Sequence, residues 1–237
     1  MDDEIQILMR RDTWEIVSSK SVADHNVLPE TWSFKCKIKP DWKIRKLKAR
    51  YFVGKDTKKI LSPKLLNSYS PVLQWATVSL MLILQFILGL QSQSIKFTNS
   101  FAQADIPSGG PVFVELPRGF NIDGGQHDVV LKLKKSLYGQ SEAARLWYEK
   151  LRNGLLERGF VMSKVDPCMF MSNTGICVVY VDDCVFWARS QSEIDNVMKS
   201  FKEDGTSYNW EHSKGESLSE FFGIDIKTLD NGGSQFF

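Results

Sequence analysis

The sequence predicts an α+β fold in which the second half of the chain forms a ferredoxin-like sheet. From Ile95 onward, hydrophobic periodicity and helix-capping signals give the order strand, helix, strand, strand, helix, strand, which is the order of a split βαβ unit. Two apolar runs on either side of Asp182 and Asp183 predict the central pair of strands. A chain of 237 residues is long enough to bury a core of this kind.

The first part of the chain predicts a basic β-hairpin at residues 32–53, with its turn at Pro40-Asp41-Trp42. Residues 35–64 contain twelve Lys or Arg and two acids, a local net charge of +10, whereas the remainder contains 18 basic and 26 acidic residues, a net charge of −8. A run of charged residues of this kind usually forms a solvated face. Its alternation with aromatic residues instead favours a folded sheet that binds a polyanion.

Residues 71–90 are the most hydrophobic stretch of the chain. Their apolar length approaches that of a membrane-spanning helix, but Gln74, Thr77, Ser79 and Gln85 interrupt it and no symmetric charged or aromatic belt frames it. We therefore expect a fully buried helix. A membrane-anchored protein is the weaker alternative.

The rest of the chain alternates loops with regular elements. The predicted elements are a short strand at 112–116, a strand at 129–133, a helix at 142–158, a helix at 191–203 and a last strand at 218–227. Gly159 ends the first of these helices, and a capping box of Ser190 and Glu193 opens the second. The cysteines at positions 36, 168, 177 and 184 show no paired spacing and are expected to be reduced, buried thiols.

The adjacent carboxylates of Asp182 and Asp183 are the strongest chemical signal. Aspartate is common in turns, so an ordinary hairpin is one interpretation. The strands around this pair are so apolar, however, that both charges would lie near a low-dielectric core, which costs free energy unless a cation or hydrogen-bond donors compensate. Magnesium (Mg²⁺), which prefers oxygen ligands, is the expected cation.

The motif Tyr180-Val181-Asp182-Asp183 inside an apolar hairpin resembles the signature of reverse transcriptases, and further motifs resemble those of the copia-type retrotransposon branch. They occur in the order of that family and cover nearly the whole chain. These motifs are Asp12-Thr13-Trp14-Glu15-Ile16-Val17, Lys48-Ala49-Arg50, Tyr69-Ser70-Pro71-Val72, Phe97-Thr98-Asn99-Ser100-Phe101, Val114-Glu115-Leu116-Pro117-Arg118-Gly119-Phe120, Lys135-Ser136-Leu137-Tyr138-Gly139, Arg145-Leu146-Trp147-Tyr148, Asp166-Pro167-Cys168-Met169-Phe170 and Phe221-Phe222-Gly223-Ile224-Asp225-Ile226.

This resemblance implies a right-hand polymerase with fingers and palm, and because the sequence ends at Phe237 we expect no thumb or ribonuclease H portion. Residues 1–94 would form the fingers with the central helix at 71–90, and residues 95–237 the palm, with a fingers insertion at about 105–135. The implied partners are an RNA template, a DNA primer, deoxynucleoside triphosphates and other products of the polyprotein. The particles of the family imply a cytoplasmic location, and the acidic N-terminus lacks the layout of a signal peptide.

The resemblance also implies roles for individual residues. Asp182 and Asp183 match the catalytic aspartates that hold two magnesium ions. Lys48 and Arg50 match the pair that grips the triphosphate, and Phe101 matches the aromatic that lies under the sugar. The implied nucleotide-binding residues are Lys48, Arg50, Phe101, Tyr138 and Tyr180.

Lys96 is the most consequential departure from the family. The family carries its first catalytic aspartate at this position, so an ammonium here removes a metal ligand and adds a positive charge where a cation should bind. Asp105 lies past the strand and is not expected to substitute. We predict an incomplete two-metal site and severely impaired polymerisation, and the alternative is a non-catalytic nucleic-acid-binding remnant of the same fold.

Overall fold

Helices and strands alternate along the chain in a mixed α+β arrangement. The computed structural model describes residues 1–38, 41–54, 68–107, 110–120, 128–201, 208, 210–213, 216–217, 220–221, 224–228 and 234–236. The helices are α1 (Asp2–Arg10), α2 (Trp75–Leu88), α3 (Ala143–Glu157) and α4 (Gln191–Ser200), with 3₁₀ turns at Ser19–Val22 and Ser100–Gln103. The strands are β1 (Trp14–Ser18), β2 (Val27–Leu28), β3 (Glu30–Ile38), β4 (Ile44–Val53), β5 (Gln91–Lys96), β6 (Val112–Val114), β7 (Val129–Leu133), β8 (Val161–Met162), β9 (Met169–Met171), β10 (Ile176–Tyr180), β11 (Asp183–Ala188), β12 (Glu216–Ser217), β13 (Glu220–Phe221), β14 (Ile224–Thr228) and β15 (Ser234–Phe236).

The chain divides into two compact units. The first consists of Met1–Tyr69 and Phe101–Trp147, and the second of Ser70–Ser100 and Tyr148–Phe237. This division differs from the expected ranges of 1–94 and 95–237, because α2 packs with the strands β10 and β11 in one hydrophobic cluster. α3 begins in the first unit and continues into the second.

The first unit contains a four-stranded sheet in the order β1-β7-β6-β2 and a separate ribbon of β3 and β4. Residues of β1, β6 and β7 form a buried cluster with the end of β4, and Leu131 and Val114 are fully buried in it. Burial of this apolar surface is the main source of stability of the unit. The ribbon extends beyond the cluster, since most of its residues are exposed.

The β3–β4 ribbon has two chemically different faces. In its register, Lys35 lies opposite Lys48 and Lys37 lies opposite Lys46. Because side chains alternate between faces along a strand, these lysines share one face with Arg50, which we call the basic face. The predicted hairpin and its display of positive charge are confirmed, whereas Pro40 and residues 55–64 of the predicted basic block lie outside the described residues.

The second unit contains a six-stranded sheet in the order β12-β5-β11-β10-β9-β8, with antiparallel neighbours throughout. Its central part, β12-β5-β11-β10, has the strand order of a split βαβ unit, although its last strand is β12 and not the strand predicted at 218–227. The capping box that opens α4 is present, with Glu193 N–H bound to the Ser190 side chain and the Glu193 carboxylate bound to Ser190 N–H. Gly159, with φ of +80°, follows α3 as predicted.

The prediction of a fully buried helix at 71–90 is wrong. α2 spans only residues 75–88 and buries one face, which includes Val78 and Met81, while Leu80, Ile83 and Phe86 are exposed. The helix is apolar on every side, so its composition does not distinguish a covered face from an open one. Among the described helices, none is long and apolar enough to cross a membrane.

Three smaller predictions also need correction. The last strand, predicted at 218–227, is divided into β13 and β14, because Phe221 pairs with Ile224 and the two strands run antiparallel. The sequence also predicts a strand over residues 94–101, but β5 ends at Lys96 and Phe101 lies on a 3₁₀ turn. Cys36 is exposed, since β3 lies in the ribbon, while the other cysteines are buried as expected.

Candidate active site

Asp182 and Asp183 lie at the tip of the hairpin formed by β10 and β11. Tyr180 pairs with Asp183 across the strands, so Val181 and Asp182 form a two-residue turn. Val181 has a φ of +55°, a left-handed conformation that costs a β-branched residue about 1–3 kcal/mol. The hairpin therefore presents its carboxylates on a strained turn, which the residue types alone do not reveal.

Neighbouring residues fix both the strands and the turn of this hairpin. Val178 and Val185, which pair across the two strands, are fully buried against α2. Beside the turn, Phe97 N–H donates a hydrogen bond of 2.8 Å to the Asp182 carbonyl oxygen. Because both the strands and the turn are fixed, the side chains of the two aspartates have little freedom to move apart.

Lys96 occupies the position between the two carboxylates. It pairs with Asp183 in the register of β5 and β11, and its Nζ lies 2.6 Å from Asp183 Oδ1 and 3.1 Å from Asp182 Oδ2. Burial disfavours the ammonium, but its hydrogen bond to Asp183 and the charges of both carboxylates outweigh burial and raise the pKa of Lys96. The protonated amine is thus the counter-ion of the pair.

The backbone of Lys96 is fixed as firmly as its ammonium. Lys96 N–H donates to Ser213 Oγ at 3.0 Å, and Ser213 N–H donates to the Lys96 carbonyl oxygen at 2.8 Å. Both edges of β5 are therefore engaged at this residue, by β11 on one side and by Ser213 on the other. These bonds set the direction in which the lysine side chain leaves the strand.

The residues around this hairpin do not fit a divalent metal site. A magnesium ion needs several oxygen ligands around one point, and here an ammonium lies against the two carboxylates that would supply them. Over the described part of the chain, no group of three His, Cys, Asp or Glu could hold a metal ion. Asp105 lies in the first unit and is paired with Lys135.

Cys177 and Cys184 lie beneath the turn on neighbouring strands. Both thiols are completely buried, and burial together with the contact to Cys177 raises the pKa of Cys184 well above its usual value. A thiol in such surroundings stays protonated and unreactive. These cysteines therefore fill the core under the aspartates rather than take part in chemistry.

A second cluster of predicted site residues lies in the first unit, around Tyr138. The Arg50 guanidinium lies 4.8 Å from the centre of the Tyr138 ring, in a cation–π arrangement. On the same tyrosine, the Phe101 ring centre lies at 4.7 Å and the Phe52 ring centre at 5.5 Å. We call Arg50, Phe52, Phe101 and Tyr138 the Tyr138 cluster.

Backbone contacts fix both ends of the Tyr138 cluster. Val53 N–H donates to the Tyr138 carbonyl oxygen at 2.8 Å, and Ser136 Oγ donates to the Phe101 carbonyl oxygen at 2.7 Å. Gly139 has a φ of +95°, and a Cβ at this residue would collide with the Val53 carbonyl oxygen. The turn at 136–139 therefore requires glycine to approach β4 closely enough for Tyr138 to meet Arg50.

The remaining predicted residues take different positions. Lys48 is half-buried on the basic face, two residues before Arg50 on β4. Tyr180 packs against the hydrophobic cluster of the second unit. Sequence reasoning assigned Arg50 and Tyr138 to the same nucleotide site through the family resemblance, but it missed the direct stacking of one on the other.

The chain matches a known protein family. The sequence model of the family described as reverse transcriptase (RNA-dependent DNA polymerase) matches residues 11–235. The chain is 28% identical over 236 residues to the Retrovirus-related Pol polyprotein from transposon RE1 of Arabidopsis thaliana, which covers 98% of this chain and 15% of that protein. It is 28% identical over 200 residues to the corresponding polyprotein from transposon TNT 1-94 of Nicotiana tabacum, with 82% and 14% covered.

The structure is also similar to a solved one. A telomerase from Candida albicans, in complex with a fragment of telomeric RNA, superposes with a TM-score of 0.51 at 10% sequence identity, over 97% of this chain and 48% of that chain. At such low identity the likeness shows a shared mixed α/β fold. The chain spans about 15% of the length of the two transposon polyproteins.

Proposed function

Because this chain belongs to the reverse transcriptase family of RNA-dependent DNA polymerases, we propose that it descends from a working polymerase domain of a copia-type Pol polyprotein and that its own polymerisation is severely impaired. The observation that carries this proposal is the position of Lys96, whose ammonium lies between the two carboxylates of the hairpin. The finer roles below rest on the same family membership.

We assign the fingers role to the first unit and the palm role to the second. The Tyr138 cluster and the basic face both lie in the first unit, and the Asp182–Asp183 hairpin lies in the second. This assignment gives α2 to the palm, and it extends the fingers insertion expected at 105–135 to residues 101–147. Each proposed lobe then has its own hydrophobic cluster.

The Tyr138 cluster is proposed to bind the incoming deoxynucleoside triphosphate. Arg50 offers a planar fork of donors that matches phosphate oxygens, and Lys48 on the same face adds a point charge. The stacking of Arg50 on Tyr138 supports this role, because it orders the guanidinium before any ligand arrives. Phe101, whose ring contacts that of Tyr138, would lie against the sugar.

The basic face is proposed to contact the phosphates of an RNA template or a DNA primer. Lys35, Lys37 and Lys46 are exposed on it and lie close together in the register of the ribbon. Lysines at such spacing repel one another unless counter-ions or phosphates neutralise them. Binding to a polyanion releases those counter-ions, so the affinity should fall steeply with salt.

Asp182 and Asp183 are the proposed descendants of a magnesium-binding pair. In a two-metal site the ions supply the charge stabilisation for nucleotidyl transfer. With Lys96 bridging the carboxylates, we assign them no catalytic step in this copy. The expected consequence is a protein that binds nucleic acid and nucleotide through the first unit and incorporates nucleotide slowly or not at all.

A non-catalytic nucleic-acid-binding protein is the second candidate function. It is favoured by the same ion pair, together with a basic face that needs no metal for phosphate contacts. The two candidates differ in one respect only. In the first, a carboxylate restored at position 96 recovers polymerisation, and in the second it does not.

Primer extension tests the proposal. The chain and its Lys96→Asp variant are each given poly(rA)/oligo(dT) and dTTP, in magnesium and in manganese. We expect extension by the variant and little or none by the chain. Robust magnesium-dependent extension by the unaltered chain would contradict the proposed impairment, and extension by neither protein favours the second candidate.

Nucleic-acid binding is measured in parallel by fluorescence anisotropy over a salt series. A Lys35→Glu/Lys46→Glu variant should bind more weakly and with a shallower salt slope than the unaltered chain. Lys20→Glu, an exposed lysine of the same unit outside the basic face, is the matched control. If the chain shows no salt-dependent binding, both candidate functions are wrong.

A further inference from the structure

Arg158, the residue that follows α3, joins three segments of the second unit. Its guanidinium donates to the carbonyl oxygens of Gly154, Ser200 and Tyr208 at 2.9, 2.6 and 2.9 Å, and its Nε donates to Ser200 Oγ at 3.0 Å. The last carbonyl groups of a helix have no partner within the helix. Arg158 supplies a donor to such a group at the end of α3 and at the end of α4, because a guanidinium has five N–H groups and serves several acceptors at once.

The same guanidinium lies against two buried rings. Its central carbon is 5.2 Å from the centre of the Phe201 ring and 4.8 Å from that of Trp210, in cation–π arrangements. Both aromatic residues are fully buried, and their ring centres are 5.0 Å apart. Trp210 also lies directly on α3, because a Cβ at Gly154 would collide with its ring. Arg158 and Gly154 together fix the position of Trp210.

The segment formed by residues 210–213 runs antiparallel to the end of β5. We call it the 210–213 segment, and the buried tryptophan is its first residue. Thr98 N–H donates to the Glu211 carbonyl oxygen at 2.9 Å, and Lys96 exchanges two hydrogen bonds with Ser213. The backbone of Lys96 therefore depends on this segment along one edge of the strand.

Phe97 links the 210–213 segment to the aspartate turn. Its ring is buried, with its centre 5.7 Å from that of Trp210 and 6.2 Å from that of Phe201. Its N–H donates to the Asp182 carbonyl oxygen at 2.8 Å. A close-packed interior has little empty space to absorb a displacement, so we expect a shift of Trp210 to reach Phe97 and, through its N–H, the turn.

We propose that Arg158 is a positioning residue for Lys96: by holding Trp210, it keeps the 210–213 segment against β5 and the ammonium between the two carboxylates. Lysine could not replace it, because only the planar guanidinium donates to several carbonyl groups while it stacks on a ring. The inference rests on contacts within the second unit and is independent of the proposed polymerase ancestry.

Amide hydrogen exchange, followed by NMR on the full chain, tests this role residue by residue. In Arg158→Lys, which keeps the charge and removes the fork, we expect Phe97 N–H and Thr98 N–H to exchange about tenfold faster or more. Val179 N–H, which donates to the Cys168 carbonyl oxygen at 2.9 Å in the same sheet, should keep its rate. A local opening at the end of β5 does not require the centre of the sheet to open.

Arg152→Lys is the matched control. Arg152 is another half-buried arginine of α3, and its Nη1 donates to Asn153 Oδ1 at 3.2 Å, so its replacement should change none of these exchange rates. Equal acceleration of Phe97 N–H and Val179 N–H in Arg158→Lys would show that Arg158 only stabilises the unit as a whole. That result would overturn the proposal, as would unchanged exchange at Phe97.

A double-mutant cycle gives a second readout that a merely structural role would not move. If Arg158 acts through Lys96, the effect of Arg158→Lys on the unfolding equilibrium constant should be about fivefold smaller in a Lys96→Met background than in the unaltered chain. Additive effects of the two substitutions would contradict the proposal. Trp210→Phe, which keeps a smaller ring at the start of the 210–213 segment, takes the place of Arg158→Lys in both experiments if that variant does not fold.

Discussion

Lys96 and Asp183 stand opposite each other in the register of β5 and β11, and the lysine Nζ lies 2.6 Å from the carboxylate oxygen. The same ammonium reaches Asp182 at 3.1 Å. Adjacent carboxylates on a rigid turn repel each other unless a positive charge lies between them. In this chain a side chain supplies that charge, so the electrostatic balance of the hairpin needs no bound ion.

Lys96→Asp should convert the hairpin into a metal-dependent structure. With three carboxylates at one point, we expect the melting temperature in EDTA to fall by roughly 3 °C or more and to recover in excess MgCl₂, because only the folded state gathers the three ligands. Differential scanning fluorimetry measures both effects. Lys132→Asp breaks an ion pair of similar exposure, with Glu15, and should not respond to magnesium. Equal stabilisation of the unaltered chain by magnesium would contradict the assignment of Lys96 as counter-ion.

The contribution of Lys96 to stability should disappear at high pH. Its pKa in the folded state is raised above the ordinary value of 10.5, so its stabilising effect is complete below that value and is lost as pH rises through the folded-state pKa. Urea unfolding of the chain and of Lys96→Met between about pH 8 and about pH 11.5 measures this as a difference. Plotted against pH, the free energies of unfolding of the two proteins should run parallel at first and converge at the alkaline end. A difference that grows with pH would show that the lysine does not act through its charge.

Arg50→Lys should weaken nucleotide binding while leaving the fold intact. The substitution keeps the positive charge but removes the planar fork and its stacking on Tyr138. We expect the affinity for dTTP to fall about tenfold, or about 1.4 kcal/mol. Competition against a fluorescent nucleotide measures it. Arg118→Lys, an exposed arginine of the same unit, is the control, and equal affinities for the two variants would argue against a triphosphate site at Arg50.

Gly139→Ala should be among the most destabilising single substitutions in the first unit. The residue has a φ of +95°, and the added Cβ meets the Val53 carbonyl oxygen. Strain of this kind costs about 1–3 kcal/mol before the collision is counted. Gly110→Ala is the matched control, because a Cβ there meets no atom of the described residues within 4 Å. Chemical unfolding measures the free energy of unfolding of both variants. Comparable values would contradict the close approach of this turn to β4.

Val181→Gly should stabilise the protein, in contrast to most substitutions of valine by glycine. Glycine adopts the observed φ of +55° without strain, which should raise the free energy of unfolding by about 1–3 kcal/mol. The greater conformational freedom of glycine in the unfolded chain should lower it by about 0.5–1 kcal/mol. Val165→Gly, at another exposed valine, should be neutral or destabilising. If both changes destabilise equally, the turn does not store strain at Val181.

The order of elements in the second unit could be predicted from local sequence signals, but the side-chain interactions at the candidate site could not. Apolar alternation around Asp182 and the capping box at Ser190 depend on neighbouring residues, so they can be recognised in a sequence. The stacking of Arg50 on Tyr138 depends on how a turn approaches β4, which only Gly139 hints at. The lysine at the position of the family's first aspartate could be recognised from the sequence, because the motif that ends at Phe101 fixes which residue occupies that position.

The error on α2 has a physical origin of the same kind. Apolar content predicts that a helix is covered, but it does not say by what. Val78 and Met81 are covered by strands of this chain, and Ile83 and Ile87 are not. Periodicity cannot separate the two faces of a helix that is apolar on both.

Neither unit is a continuous stretch of the chain, and this affects how the protein is made. In the first unit β1 pairs with β7, and in the second β5 pairs with β11. During synthesis, β1 leaves the ribosome long before its partner exists, and β5 does the same, so both strands stay unpaired while translation continues. A transcript truncated before β7 would leave β1 permanently without its partner. We therefore expect the nascent chain to depend on chaperones more than a protein of this size with locally paired strands.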